Sequence, residues 1–291
     1  MKDSMYKGGF VFTKELGENL DLQYERVKVN NKASLIIIDG GVGEGKTTLA
    51  LHCADYLNKL DGKPEVDIKS GDQVGLGGED FLKKMRICHE KDLPVVIYDE
   101  AGDFGKRQAL TKFNAMLNRT FETFRAFKIV VIIVLPSFSV LDNSIFDKAI
   151  PRMLIHCYGR NQDHGKFKVF SLNRMMYVRH YMKKEVIKPR AYSKQYPNVH
   201  GMFKNLSVSR CQALDEVSTQ GKLDELLASE VKIQGLVGFA DIGTRMGKSV
   251  RWAQEAIKEL KIKPFRVIKS KKYFDESLID ILVDYTLTGK K

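Results

Sequence analysis

The stretch Ser34-Leu-Ile-Ile-Ile-Asp39-Gly40-Gly41-Val42-Gly43-Glu44-Gly45-Lys46-Thr47-Thr48 decides the fold. Its first six residues read as a strand whose aliphatic run, Leu35–Ile38, marks it as covered on both faces. Gly40 to Thr47 then satisfy G-x-x-x-x-G-K-[ST]. Lys46 to Leu60 reads as a helix ended by Asp61-Gly62-Lys63-Pro64. A phosphate group needs several backbone N–H groups converging on it, so such a loop must turn tightly without Cβ atoms in the way. The helix N-terminus behind it adds partial positive charge. In that arrangement Lys46 reaches the β- and γ-phosphates of a nucleotide, and the Thr47 hydroxyl is a ligand for Mg²⁺.

Working outward, aliphatic runs alternate with helical patterns. Strands are expected at Pro94–Tyr98, Lys128–Leu135 and Met153–Cys157, with a short one at Glu65–Ile68. Helices are expected at Glu79–His89 and over 106–127. This alternation predicts an α/β protein with a doubly wound parallel sheet that carries its ligand at the strands' carboxyl ends. Lys166–Leu172 and Met176–Tyr181 are expected to pair as a basic edge hairpin. The stretch 191–230, following Pro189 and including Pro197, reads as a linker or strap with a connecting helix.

The run Val95-Val-Ile-Tyr-Asp99-Glu100 ends in two carboxylates. Asp99 stands where a phosphate-loop protein keeps its Mg²⁺-orienting carboxylate, and Glu100 is the candidate general base for an attacking water. An acid at position 100 also suits the first turn of a following helix. No N-K-x-D guanine signature occurs, so ATP is the expected nucleotide. Hydrolysis needs positive charge at the transferring phosphoryl group, commonly an arginine from a neighbouring subunit. Arg107, Arg119 and Arg125 lie in the right part of the chain, with Arg119 and Arg125 favoured. Ser137, just beyond the strand 128–135, is the positional candidate for a polar sensor, with Asn143 behind it.

The 291 residues carry a formal charge of +12, unevenly spread. Residues 1–150 hold 21 Lys/Arg against 22 Asp/Glu, whereas 151–190 hold 10 against 2 and 232–272 hold 11 against 3. Two basic blocks beside a neutral one suit a polyanionic partner, although a solvated lysine-rich face gives the same count. The longest apolar run, Ile129–Leu135, falls far short of the ~20 residues that span a bilayer. Met1–Val11 lacks the apolar core of a signal peptide, so no membrane insertion is expected. Cys53, Cys88, Cys157 and Cys211 lack C-x-x-C spacing, and the expected location is cytoplasmic.

Near the C-terminus, Gly238–Ala253 reads as a helix-turn-helix in which Val250, Ala253, Ile257 and Leu260 form one apolar stripe. Pro264–Ile268 and Lys271–Phe274 then read as a wing-like hairpin. Lys248, Arg251, Arg266, Lys269, Lys271 and Lys272 are the candidate DNA contacts, by the logic of a helix in the major groove and a basic wing on the backbone.

Several of these segments together resemble known families. Asp99-Glu100-Ala101-Gly102, Phe113 through Arg119, Phe124-Arg125, the strand IVVIIVL, Pro136-Ser137 and Leu141-Asp142 resemble the FtsK–HerA group of DNA-pumping ATPases of the additional-strand, catalytic-glutamate class. The likeness covers about residues 33–160; this chain has Pro136 or Ser137 where that group usually has Gln. Residues 238–274 resemble winged-helix domains of the MerR/excisionase style. The resemblances imply a RecA-like P-loop ATPase domain over 1–190 and a winged-helix DNA-binding domain over 231–291. They further imply an ATP- and Mg²⁺-dependent motor on duplex DNA, a translocase or packaging-type pump assembled as a homo-oligomeric ring such as a hexamer. A DNA-binding switch of the initiator, loader or partition type, or a virion assembly or secretion ATPase of the zonula-occludens-toxin-like kind, would share the same site chemistry.

Overall fold

A computed structural model of the chain describes residues 5–6, 10–99, 114–118, 124–148, 150–159, 164–184, 188–219, 236–268 and 271–288. It divides into two units, residues 1–217 and 218–291.

In the first unit a small hairpin, β1 (Met5–Tyr6) and β2 (Phe10–Val11), precedes helix α1 (Lys14–Lys28). There follow β3 (Ser34–Gly40), α2 (Lys46–Leu60), β4 (Val74–Leu76), α3 (Gly78–Glu90) and β5 (Val95–Asp99). Residues 114–118 and 124–127 are helical and lead to β6 (Val130–Leu135). A 3₁₀ turn (Phe138–Val140), α4 (Asn143–Asp147), β7 (Pro151–Tyr158) and β8 (His164–Ser171) come next. The unit is completed by α5 (Leu172–Lys184), a second 3₁₀ turn (Lys188–Ser193), β9 (Val199–Lys204) and all but the last two residues of α6, residues 208–219.

All seven main strands form one sheet in the order β4-β5-β6-β3-β7-β8-β9. The first five run parallel, and β8 and β9 extend the sheet antiparallel. Because side chains alternate along a strand, Ile36 and Ile38 face the layer of α1, α2 and α6, while Leu35 and Ile37 face α3, the 124–127 helix and α5. Every residue of β3 is buried, the cause of the aliphatic run Leu35–Ile38 within it.

The order separates β3 from β5 by one strand, β6. Thus β3, which runs into the phosphate loop, and β5, which ends at Asp99, flank an additional strand whose carboxyl end opens between them.

Three local expectations differ from the structure. The short strand is Val74–Leu76 rather than Glu65–Ile68, because the Val66 N–H is taken by Asp55 Oδ1 (2.8 Å). Met176–Tyr181 lies in helix α5, whose Met175, Val178 and Met182 are buried at helical spacing, so β8 pairs instead with β7 and β9. Residues 191–217 are not a linker: β9 is a sheet strand and α6 packs Ala213 on the core. Arg210 of α6 also bonds both carboxylate oxygens of buried Asp55 on α2.

The second unit contains β10 (Leu236–Gly238), α7 (Phe239–Arg245), α8 (Val250–Glu259), β11 (Arg266–Ile268), β12 (Lys271–Asp275) and α9 (Leu278–Thr288). Its strands form an antiparallel sheet in the order β10-β12-β11. Ser249 caps α8 by accepting the Trp252 N–H (3.1 Å). Val237, Ile242, Ala253, Ile257, Phe274 and Leu282 form its core, with Trp252 and Leu260 against it. Val250, expected on the buried stripe, is 45% exposed; Ala256 takes its place. Among the described residues no helix is long and apolar enough to cross a membrane.

Candidate nucleotide site

The site lies at the carboxyl ends of β3, β5 and β6. At Gly40 the chain adopts φ 149°, and a Cβ there would stand 2.4 Å from the Cys157 carbonyl oxygen on β7. Glycine is therefore required for the loop to leave the sheet. Gly45, at φ 81°, is the left-handed residue from which α2 starts. Val42 at the loop's tip is fully exposed, and the loop N–H groups and the first turn of α2 share one end of the helix. This is a cradle for an oxyanion.

Lys46 Nζ is held over the loop by the carbonyls of Gly40 (2.9 Å) and Gly41 (2.8 Å). Its ammonium thus sits among the residues expected to hold phosphate, Gly40, Gly41, Val42, Gly43, Glu44, Gly45, Thr47 and Thr48. Thr47 Oγ1 donates to Asp99 Oδ2 at 2.8 Å, while Thr48 turns into the core. A hydroxyl and a carboxylate oxygen in contact are the hard donor set that Mg²⁺ takes when it binds alongside phosphates. The residues present therefore fit that ion.

Ser137 follows β6 and lies beside both strand ends. Its hydroxyl bonds Ser139 Oγ (2.9 Å) and accepts the Ser139 N–H, capping the 3₁₀ turn. Behind it is a cluster that the sequence does not announce. Asp39, fully buried at the root of the phosphate loop, accepts the Phe138 N–H (2.9 Å) and lies 2.9 Å from His156 Nδ1. It also accepts the Tyr192 hydroxyl. The Tyr192 ring stacks on His156 with centroids 3.5 Å apart, and its hydroxyl also bonds Ser137. Burial, and then the adjacent Asp39 carboxylate, push the Tyr192 pKa well above the ordinary tyrosine value. Tyr192 therefore remains a hydrogen-bond donor that joins the loop's root to the Ser137 turn.

Other expected residues are not gathered here. Glu100, Arg107 and Arg119 lie outside the described residues. Arg125 Nε donates to the Asn31 carbonyl (3.1 Å), at the amino end of β3. Seven residues of β3 at ~3.3 Å each put that guanidinium about 20 Å from its own phosphate loop. Asn143 Oδ1 accepts from Arg179 and is not turned to the loop.

In the second unit, Lys248 sits exposed in the turn before α8, and Arg251 pairs with Glu255 along α8 (2.9 Å). Lys271 and Lys272 are exposed on β12, opposite Ile268 and Val267 of β11. Lys269 and the Arg266 side chain lie outside the described residues. Lys271 and Lys272 share an open groove of about 890 Å³ with Lys258 and Lys261, rather than with Lys248 and Arg251.

The strand order and the loop geometry together define a P-loop protein of RecA-like α/β architecture. No protein-family model and no curated protein matches the sequence. Among solved structures the chain is similar to PCH-2 of C. elegans, with 18% identity over 50% of this chain and 42% of that one, at a TM-score of 0.32. It is also similar to the N-terminal domain of zonular occludens toxin from Neisseria meningitidis, with 14% identity over 48% and 84% of the two chains and a TM-score of 0.27. A KaiC-like protein from Pyrococcus horikoshii matches at 13% identity over 48% and 78%, with a TM-score of 0.29. The chain spans less than half the length of PCH-2. At these scores the fold rests on the strand order and loop geometry, not on the likenesses.

Proposed function

We propose that this chain is an ATP-hydrolysing motor on duplex DNA, a translocase or packaging-type ATPase working as a homo-oligomeric ring. The observation that carries the ATPase part is the Thr47–Asp99 contact across an additional strand, with Lys46 over the loop beside it. ATP is the substrate. The loop N–H groups and Lys46 bind its phosphates and orient the γ-phosphoryl group. Mg²⁺ held by Thr47 and Asp99 would neutralise charge on the phosphates. Glu100, next to Asp99, takes the proton of the attacking water, and Ser137 contacts the phosphoryl end from β6.

Arg119 or Arg125 of a neighbouring subunit supplies the remaining positive charge. The distance of Arg125 from its own loop supports a role only in trans. A ring then follows from chemistry, because one subunit's site is incomplete alone. The DNA part is supported by the two basic blocks and by the helix-turn-helix and hairpin of the second unit, read as a winged helix, with Lys248, Arg251, Arg266, Lys269, Lys271 and Lys272 on the DNA.

Steady-state ATPase activity titrated with duplexes of increasing length, at constant total base pairs, tests this reading. Turnover should rise with length. Stimulation independent of length would replace the motor with a nucleotide-controlled DNA switch, and absence of stimulation would remove DNA as the substrate, as in a virion assembly or secretion ATPase.

A further inference from the structure

A second cationic site lies at the other end of the sheet, within the first unit. Between β3 and β7, Leu35 pairs with Pro151 and Ile36 with Met153, so Arg152 of β7 is the extra residue of a β-bulge. Bulges re-aim a side chain out of the strand's alternation, and they concentrate next to functional sites. Arg152 lines a groove of about 530 Å³ together with Arg26 of α1 and Lys32 of the following turn.

The three cations lack carboxylate partners among the described residues. Arg26 Nε donates to the Ala33 carbonyl (3.0 Å), which fixes the guanidinium without neutralising it. Arg152 Nε is buried and has no hydrogen-bond partner, an arrangement that a bound acceptor would relieve. Burial, and then the neighbouring Arg26, lower the Arg152 pKa, as two like charges held side by side require. Glu25 is the acidic residue of the lining; it is exposed and pairs with none of the three. Arg125, too far from its own phosphate loop, binds the carbonyl of Asn31 between groove-lining Asn30 and Lys32.

Two guanidinium forks and an ammonium, with the amides of Asn30 and Asn173 on the walls, match the oxygens of a phosphate group better than a lone carboxylate. The geometry points to a second phosphate-binding site in this groove, formed by Arg26, Lys32 and Arg152 and separate from the nucleotide loop. The phosphate is either one of a nucleic-acid backbone or a free phosphate. The site stands independently of the ATPase reading, since it uses none of the same residues.

The test uses the full chain carrying Lys46→Ala, so that the nucleotide loop does not dominate binding. Inorganic phosphate is titrated by calorimetry and a fluorescein-labelled duplex by anisotropy, for Arg152→Gln and for Lys32→Gln. Lys32 is exposed, so its substitution leaves packing intact. Each variant should weaken binding, Arg152→Gln by about tenfold or more and Lys32→Gln by a few-fold. Loss of phosphate binding alone identifies free phosphate as the ligand. Loss of duplex affinity, with a flatter salt dependence, identifies the nucleic-acid backbone. Unchanged binding of both probes in both variants overturns the site.

Discussion

Thr47 Oγ1 donates a 2.8 Å hydrogen bond to Asp99 Oδ2, joining the first turn of α2 to the end of a strand 52 residues further along the chain. With β6 between the two parent strands, the pair sets the spacing between the phosphate loop and Asp99. Thr47→Val and Asp99→Asn should each raise the Mg²⁺ concentration for half-maximal turnover about tenfold or more. Nucleotide binding without Mg²⁺ should change little. An unaltered Mg²⁺ titration in both would remove these residues from the metal site.

Tyr192 links Asp39 to Ser137, so Tyr192→Phe should lower kcat for ATP more than it changes KM. Removing the hydrogen bond to a buried carboxylate should also cost about 1–3 kcal/mol of unfolding free energy. A drop in stability with kcat intact would reduce the cluster to a core element.

His52 on α2 lies with Nε2 2.9 Å from the Lys204 carbonyl, in a site where burial is the largest cause lowering its pKa. The folded chain keeps this ring neutral at pH values where the unfolded chain protonates it. Stability is therefore lost as pH falls below about 6.5, by up to about 1.4 kcal/mol per pH unit from this proton, until the lowered folded pKa is passed. Urea unfolding between pH 7.5 and 5 should show a shallower fall for His52→Gln than for wild type. Parallel curves would exclude His52 as the source.

A truncation ending near Lys222 keeps the first unit and should still bind ATP, while its affinity for duplex DNA falls. For every DNA phosphate that the shortened chain no longer neutralises, the slope of log K against log salt should flatten by roughly 0.9. Unchanged affinity and slope would show that the cations of the second unit are simply solvated.

How far the sequence carried the fold depended on how local each signal was. Ser34–Gly45 reads directly because a two-sided strand needs unbroken aliphatic residues and the loop needs glycine where the chain leaves the sheet. The helix at 172–184 was hidden because Met176-Tyr-Val-Arg-His-Tyr181 suits a strand by propensity, and only packing on the sheet selects the helix. β9 was hidden by the prolines before it. The Asp39 cluster left no trace at all, since its partners Phe138, His156 and Tyr192 are 99, 117 and 153 residues away. Arg152 likewise acquires meaning only through the bulge that isolates it from its strand.

The proposed ATPase requires Asp99 and its sequence neighbour Glu100 to act on ATP held by the loop that closes β3. Single-turnover hydrolysis by Glu100→Gln, with ATP affinity measured on the same protein, tests it most directly. ATP binding should be retained, within a few-fold of wild type, and hydrolysis slowed by about 10²-fold or more, as removal of a general base requires. Hydrolysis at the wild-type rate in Glu100→Gln, or loss of ATP binding in that variant with binding kept in Lys46→Ala, would contradict it.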